Sequence, residues 1–400
     1  MDNRRWIRGL GAALVACLLI TGCGGDDGAT VRNLADEEAS ASDGSASSAG
    51  SGSTAETDGG ASSSASSSAP AEGSTESEAA AGEAVDAEGG YTYASDVTAH
   101  RQVTLDVCGI KEHLDADTPN FEAAAELYSD GEYSINDDGS VRTLAGFATA
   151  DDRLHGLDDY YGTATPLDDW MTEALGATGR FAGASDDVRA QAVEKGAQNQ
   201  ILVAWAIHEL NSALEKVGAG DIDPAEGAPH NWDEAWAFYH GAAPDCAPFA
   251  TANSRAENFG TVSDDGVAQA NAAITEAMND GRDALIAGDA RAASDAADEV
   301  IRNLVITYSQ AAIRYATLVG QDVENDDLDA AAEHRVEGLA FFGVVEALVA
   351  DRGADVEAVN AVFDLDAEPG SNGGPDEIRV ALQPAWEALG ISDDDIGTLQ

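Results

Sequence analysis

Lysine is almost missing from this chain. Lys111, Lys195 and Lys216 are its only lysines, against 74 acids, and the formal net charge is −54 over 400 residues. That shortage excludes nucleic acid as a partner, because each phosphate contact needs a cation. An acidic surface stripped of lysine is the usual look of a protein from a high-salt habitat. There screening is strong and hydrated carboxylates keep the chain soluble. The same acidity means that clusters of acids alone cannot mark a metal site.

Catalytic signatures are missing as well. There is no His-Glu-x-x-His, no Gly-x-Ser-x-Gly, no glycine-rich phosphate loop and no paired-cysteine motif. Serine is common only near the N-terminus. No stretch alternates as a strand would. No apolar run is a convincing membrane span: the longest candidate, Leu10–Ile20, is too short.

That run follows a basic start, Met-Asp-Asn-Arg-Arg-Trp-Ile-Arg, so it reads as a signal peptide over 1–22. It ends in Ile20-Thr21-Gly22-Cys23, which resembles a lipobox. Cys23 is then the lipidated residue, and membrane lipid is a partner through it. Residues 24–90 contain 14 acids, a single arginine (Arg32) and almost nothing to bury. Such a segment does not offset its conformational entropy and reads as a disordered tether. As a coil it reaches roughly 45 Å. Beyond it, residues 91–400 carry 59 acids against 16 bases.

Cysteine is scarce too. Cys17 leaves with the signal and Cys23 takes lipid. Cys108 and Cys246 remain in an oxidising compartment, which suggests one disulfide. The alternative is a thiolate metal pair, but neither residue has a neighbour at zinc-ligand spacing.

The remaining chain reads as all-α. Apolar residues recur at three and four in Phe121–Tyr128, Leu167–Leu175, Val188–Leu214, Trp232–Tyr239, Val267–Ile286, Ala293–Val319 and Ala330–Val349, with a short final helix at Ile378–Leu389. These helices repeat. Met171-Thr-Glu-Ala-Leu175 matches Ile274-Thr-Glu-Ala-Met278. Gln200-Ile-Leu-Val-Ala-Trp205 matches Asn303-Leu-Val-Ile-Thr-Tyr308, and Glu234-Ala-Trp-Ala-Phe-Tyr239 matches Glu337-Gly-Leu-Ala-Phe-Phe342. All three pairs share an offset of 103 residues. Further upstream, 120–128 resembles 231–239. The expectation is a duplicated helical bundle, with repeats near 120–217 and 231–320 and a third opening helix near 330. The groove between the halves is then the natural ligand site.

His334-Arg-Val-Glu337 places an imidazole and a carboxylate three apart on one helix face, a pairing that builds metal sites in bundles. It is equally a solvated pair at a helix start. The positions equivalent to His334 and Glu337 are Asn231 and Glu234, so glutamate occurs in both copies before an aromatic-rich stretch. In the first opening helix the position is Ala123. His208-Glu209 lies inside an apolar helix and fits a hydrogen-bonded core histidine. Tyr308 and Tyr315 stand two turns apart on one face and fit core packing. As tyrosinates, they would be hard oxygen donors suited to ferric iron. Arg314 or Arg302 could neutralise a carbonate.

Four stretches carry a family resemblance: Phe181-Ala-Gly-Ala-Ser185, 231–239, Thr307-Tyr-Ser-Gln-Ala-Ala-Ile-Arg-Tyr315 and 337–342. They resemble the low-iron-inducible, high-carbon-dioxide-inducible periplasmic proteins of green algae, relatives of the diatom phytotransferrins. The resemblance spans roughly 105–350. It implies extracytoplasmic capture of Fe3+, with carbonate as a candidate co-ligand and an iron permease as a candidate partner. The ligand set drawn from all this is Glu234, Glu337, His334, Tyr239, Tyr308 and Tyr315, with Arg314 as the anion-binding residue. His334-Arg-Val-Glu337 is also similar to the His-x-x-Glu motif of imelysin-like proteins and iron-uptake lipoproteins. The reading is a binding protein and not an enzyme. The alternatives are a structural or adhesive surface lipoprotein, which expects Glu234 and Glu337 exposed on separate faces, and an imelysin-like metal-dependent protein.

Overall fold

The computed structural model describes residues 86–136, 138–150, 153–264 and 266–400. The signal peptide, Cys23 and the tether up to 85 lie outside the described residues. Packed chain begins slightly before the tether boundary drawn at 90. A small hairpin pairs Ala87–Glu88 (β1) with Tyr91–Thr92 (β2) through Gly89 and Gly90. Its Tyr91 is fully buried.

The rest is mostly helical, as the spacing predicts. The first group comprises α1 (Thr98–Leu114), α2 (Phe121–Asp130), α3 (Leu144–Thr149), α4 (Leu157–Tyr161), α5 (Pro166–Gly176) and α6 (Asp186–Lys195). α6 runs through a π-helical turn, Gly196–Ile201, directly into α7 (Leu202–Gly218). Then come α8 (Ala228–Tyr239), α9 (Pro248–Phe259), α10 (Gln269–Ala287), α11 (Ala290–Glu324) and α12 (Leu328–Ala350). α13 (Val356–Val362), α14 (Pro375–Leu389) and α15 (Asp393–Ile396) close the chain.

Part of the acidity has a local use. Asp289, Asp327 and Asp355 each precede a helix and accept its third backbone N–H, so they satisfy donors the helix cannot pair itself. α1 and α9 went unread in the sequence. α1 carries Val103, Val107, Ile110 and Leu114 at spacings of four, three and four, a helical stripe that was passed over. α9 buries Thr251, Ala252, Arg255 and Ala256 ahead of Phe259 and lacks the rich apolar stripe that periodicity detects. α10 begins at Gln269, and Val267 stays outside it, 43 % exposed.

Two apolar cores form. One gathers Trp232, Trp236, Ile274, Tyr308, Phe342 and Trp386, with much of α10, α11 and α14. The other gathers Val107, Leu144, Met171, Trp170, Phe238 and Val336, mainly from α1 to α6. α7, α8 and α12 contribute side chains to both cores, so polar groups on these helices lie along the seam. Gly196, in the π turn, marks a tight approach. A Cβ there would meet the Met171 sulfur at 2.7 Å and Trp170 at 2.8 Å. Cys108 of α1 and Cys246 are joined by a disulfide with Cα atoms 5.4 Å apart, tying α1 to the segment after α8. No helix among the described residues is long and apolar enough to cross a membrane.

Candidate metal centre

The helix α8 starts at Ala228, earlier than its apolar pattern suggests, with Pro229 in its first turn. Proline suits that position because its missing N–H costs nothing there. The early start brings His230 into the helix, one turn before Glu234. His230 Nε2 lies 3.1 Å from Glu234 Oε1. From α1, His100 Nδ1 reaches the same oxygen, also at 3.1 Å. Asn231 donates to Glu209 Oε2 of α7 at 2.6 Å and to Glu234 Oε2 at 3.3 Å. Glu209 and Glu234 are themselves hydrogen-bonded to each other. Two imidazoles and two carboxylates from three helices therefore meet at one place. Glu209 and Glu234 are only 5 % and 7 % exposed.

The charges are unequal. Burial pushes the Glu209 carboxyl well up, and neighbouring Glu234 pushes it further. Burial would also raise Glu234, but His100, His230 and the hydrogen bond from Glu209 overcome it and hold Glu234 low. The two acids thus share one proton, held on Glu209. Burial brings His100 down to about 4, so it is neutral. His230 is raised, because its bond to Glu234 outweighs its burial.

A second ring of contacts fixes His230. Ser95 Oγ lies 2.9 Å from His230 Nδ1 and donates to Asp233 Oδ2 at 2.7 Å. Having given its hydrogen to Asp233, Ser95 can only accept from Nδ1–H. The other ring nitrogen, Nε2, donates its hydrogen to Glu234 in the protonated ring, and loss of that proton would bare an Nε2 lone pair to the cluster. Asp233 is fully buried and also accepts from Tyr91 Oη at 2.6 Å and from the backbone of Ala94 and Ser95. Outer contacts of this kind orient histidine ligands of metals. Among the described residues, no group of three or more His, Cys, Asp or Glu side chains could hold a metal ion as placed. The four groups are joined by hydrogen bonds and ion pairs.

The other sequence-predicted residues lie elsewhere. Tyr315 donates to Glu337 Oε1 at 2.9 Å, and Lys195 Nζ stands 3.5 Å from the same oxygen. The guanidinium groups of Arg255 and Arg314 lie over the Tyr315 ring at 5.6 and 5.1 Å. Glu337 is 8 % exposed. His334 bonds Asp322 of α11 at 2.6 Å, and its ring lies 5.8 Å from that of Tyr315. Lys195 thus stands beside this carboxylate, and two arginines stand beside its phenol partner, so Glu337 already faces positive charge from the protein. Burial raises Tyr315, with Glu337 raising it further, so the phenol keeps its proton. Tyr239 donates to Asn271 at 2.6 Å and Tyr308 to Asn199 at 2.9 Å. Burial raises both phenols too. Arg302 pairs with Asp395 at 2.9 Å and ties α11 to the C-terminal turn.

Of the predicted ligands, the structure therefore brings Tyr315, Glu337 and His334 to one place and Tyr239 and Tyr308 to asparagine partners. Glu234 stands with histidines that sequence reasoning passed over. The missed signal was His230 four residues before Glu234, the other spacing that shares a helix face. His100 gave no signal, because its helix was not read.

The comparisons agree with the resemblance. No curated protein and no solved structure matches this chain. Residues 64–400, however, match the low iron-inducible periplasmic protein family, and the chain belongs to that family.

Proposed function

We propose that the protein is an extracytoplasmic iron-binding protein whose cargo is held by His100, His230, Glu234 and Glu209. One observation carries the reading: two imidazole nitrogens from different helices stand 3.1 Å from one buried carboxylate oxygen, beside a second buried acid. Ligands bonded to one metal at about 2.0–2.2 Å lie roughly 3.0–3.4 Å from each other. The donors therefore need only small side-chain adjustments. The incoming cation would replace the proton shared by Glu209 and Glu234, which is how metal binding commonly couples to proton release. Imidazole with carboxylate is a donor set suited to iron.

The duplicated architecture belongs to this proposal. Segments matched at an offset of 103 fall on α5 and α10, on the π turn with α7 and on α11, and on α8 and α12. In this reading the first copy keeps the metal cluster. In the second copy, Lys195 and Tyr315 satisfy the equivalent acid, Glu337. A lipid anchor on Cys23 and an acidic tether would keep the domain at the membrane, near a permease that takes the iron on. Carbonate would complete the coordination from solvent.

The test is equilibrium binding of ferric and ferrous iron to the full-length protein at high salt. One iron per chain is expected, with a loss of about 10–100-fold or more in Glu234→Gln and His230→Ala. Tyr308→Phe and Tyr315→Phe should bind as the parent does, and no tyrosinate charge-transfer band should appear. Absence of iron binding, or undiminished binding by Glu234→Gln, refutes the assignment.

A further inference from the structure

One short segment packs on the turn of α7 that carries Glu209. Residues 153–162 cross α7 at the turn that holds His208 and Glu209. The backbone N–H of Leu154 donates to His208 Nδ1 at 2.8 Å, and Asn211 donates to the Leu154 carbonyl at 2.7 Å. Since Nδ1 accepts, the neutral imidazole carries its hydrogen on Nε2. That nitrogen lies 3.8 Å from Glu209 Oε1, the oxygen facing away from Asn231. The His208 ring is held against Trp205, centroid to centroid 4.4 Å. A line of contacts thus runs from Leu154 through His208 to Glu209.

The far end of the segment has its own latch. Tyr160 and Tyr161 donate to the two oxygens of buried Glu346, at 3.1 and 2.6 Å, and Asn360 donates to Oε1 at 2.6 Å. Between the two ends the segment buries only His155 and Leu157. α4 buries only Leu157, and Tyr161 is 42 % exposed despite its bonded hydroxyl. Gly156 and Gly162 bracket α4 in left-handed conformations, φ 76° and 67°, with open space where a side chain would be. Glycines there let the backbone swing without steric cost. A segment held by a few polar contacts opens more readily than one held by a core.

We propose that residues 153–162 form a releasable strap over the Glu209 side of the metal cluster, and that strap closure and iron binding stabilise each other. This rests on the cluster being the iron site. With the strap down, His208 is held in the orientation that turns Nε2–H towards Glu209 Oε1, which keeps Oε2 directed into the cluster. With the strap raised, His208 loses its bond from Leu154 and holds Glu209 Oε1 less firmly. His208 is accordingly a positioning residue. Linkage is reciprocal, so iron held by Glu209 favours the closed strap. The tyrosine latch, remote from the metal, sets how often the strap lifts.

Amide hydrogen exchange at Leu154, measured on the full chain with and without iron, reads this directly. Iron should slow Leu154 exchange by about fivefold, the worth of one ordinary hydrogen bond. A Tyr160→Phe, Tyr161→Phe double variant should release iron to a competing chelator at least about tenfold faster than the parent. Equal Leu154 exchange in iron-free and iron-loaded protein overturns the strap while leaving the site standing. So does an unchanged release rate in a folded double variant. Failure of the parent chain to bind iron overturns the site itself, a result read before either strap measurement.

Discussion

Removing the disulfide tests how the domain holds the helix that supplies His100. Cys108 and Cys246 are 138 residues apart in sequence. Closing a loop of that size restricts the unfolded chain, and the loop-entropy relation gives about 5 kcal/mol at 25 °C. Folded domains are stable by about 5–15 kcal/mol, so the bond accounts for a large share. The effect falls mainly on the unfolded state, because Cys246 is buried and α1 packs through Val103, Val107, Ile110 and Leu114 without it. A Cys108→Ala, Cys246→Ala protein should therefore keep its helix content in high salt. Its urea midpoint should drop by the equivalent of about 3–5 kcal/mol. The slope of the transition should be unchanged or steeper, since the freed chain exposes more surface. His100 lies two turns before Cys108 on the same helix, so iron affinity should fall as well, by less than in His230→Ala. A stability loss below about 1 kcal/mol would refute the reasoning, since unfolded-state loop entropy would then not be what the bond contributes.

Three further outcomes follow. Asp106 is fully buried, and burial lifts its carboxyl to about 7 despite N–H donors from Glu132 and Tyr133. Folding thus favours the protonated acid: its contribution is full below the ordinary value of 3.8, declines as pH rises and is lost above about 7. Stability from urea titrations should fall by roughly 4 kcal/mol across that window from this residue alone, and Asp106→Asn should flatten the profile; an unaltered profile counts against the assignment. Glu337→Gln should leave iron affinity intact while lowering stability by only about 1–2 kcal/mol, because Lys195 loses one carboxylate partner and keeps Glu194; a large affinity loss would instead restore Glu337 as a ligand. Gly281→Ala should destabilise by about 1–3 kcal/mol, since its Cβ would meet the Trp232 ring at 2.0 Å; a neutral thermal melt would show that Trp232 moves freely.

The sequence by itself determined the helical class, most helix positions and the family, because periodic apolar stripes and family stretches are local properties of the chain. Helices whose buried faces are small or polar escaped it. α9 buries Arg255 and Thr251, residues that read as surface until their neighbours are known. Charge made the site harder still. Among 74 acids, the pattern marked both Glu234 and Glu337, and nothing local separates them. Only tertiary packing does. At Glu337 it supplies Lys195 and Tyr315, with two arginines over the Tyr315 ring. At Glu234 it supplies two imidazoles and a second acid from α1, α7 and α8, the donor set proposed above for the cargo. In each case one partner comes from more than a hundred positions away in the chain, His100 at Glu234 and Lys195 at Glu337, brought close by folding.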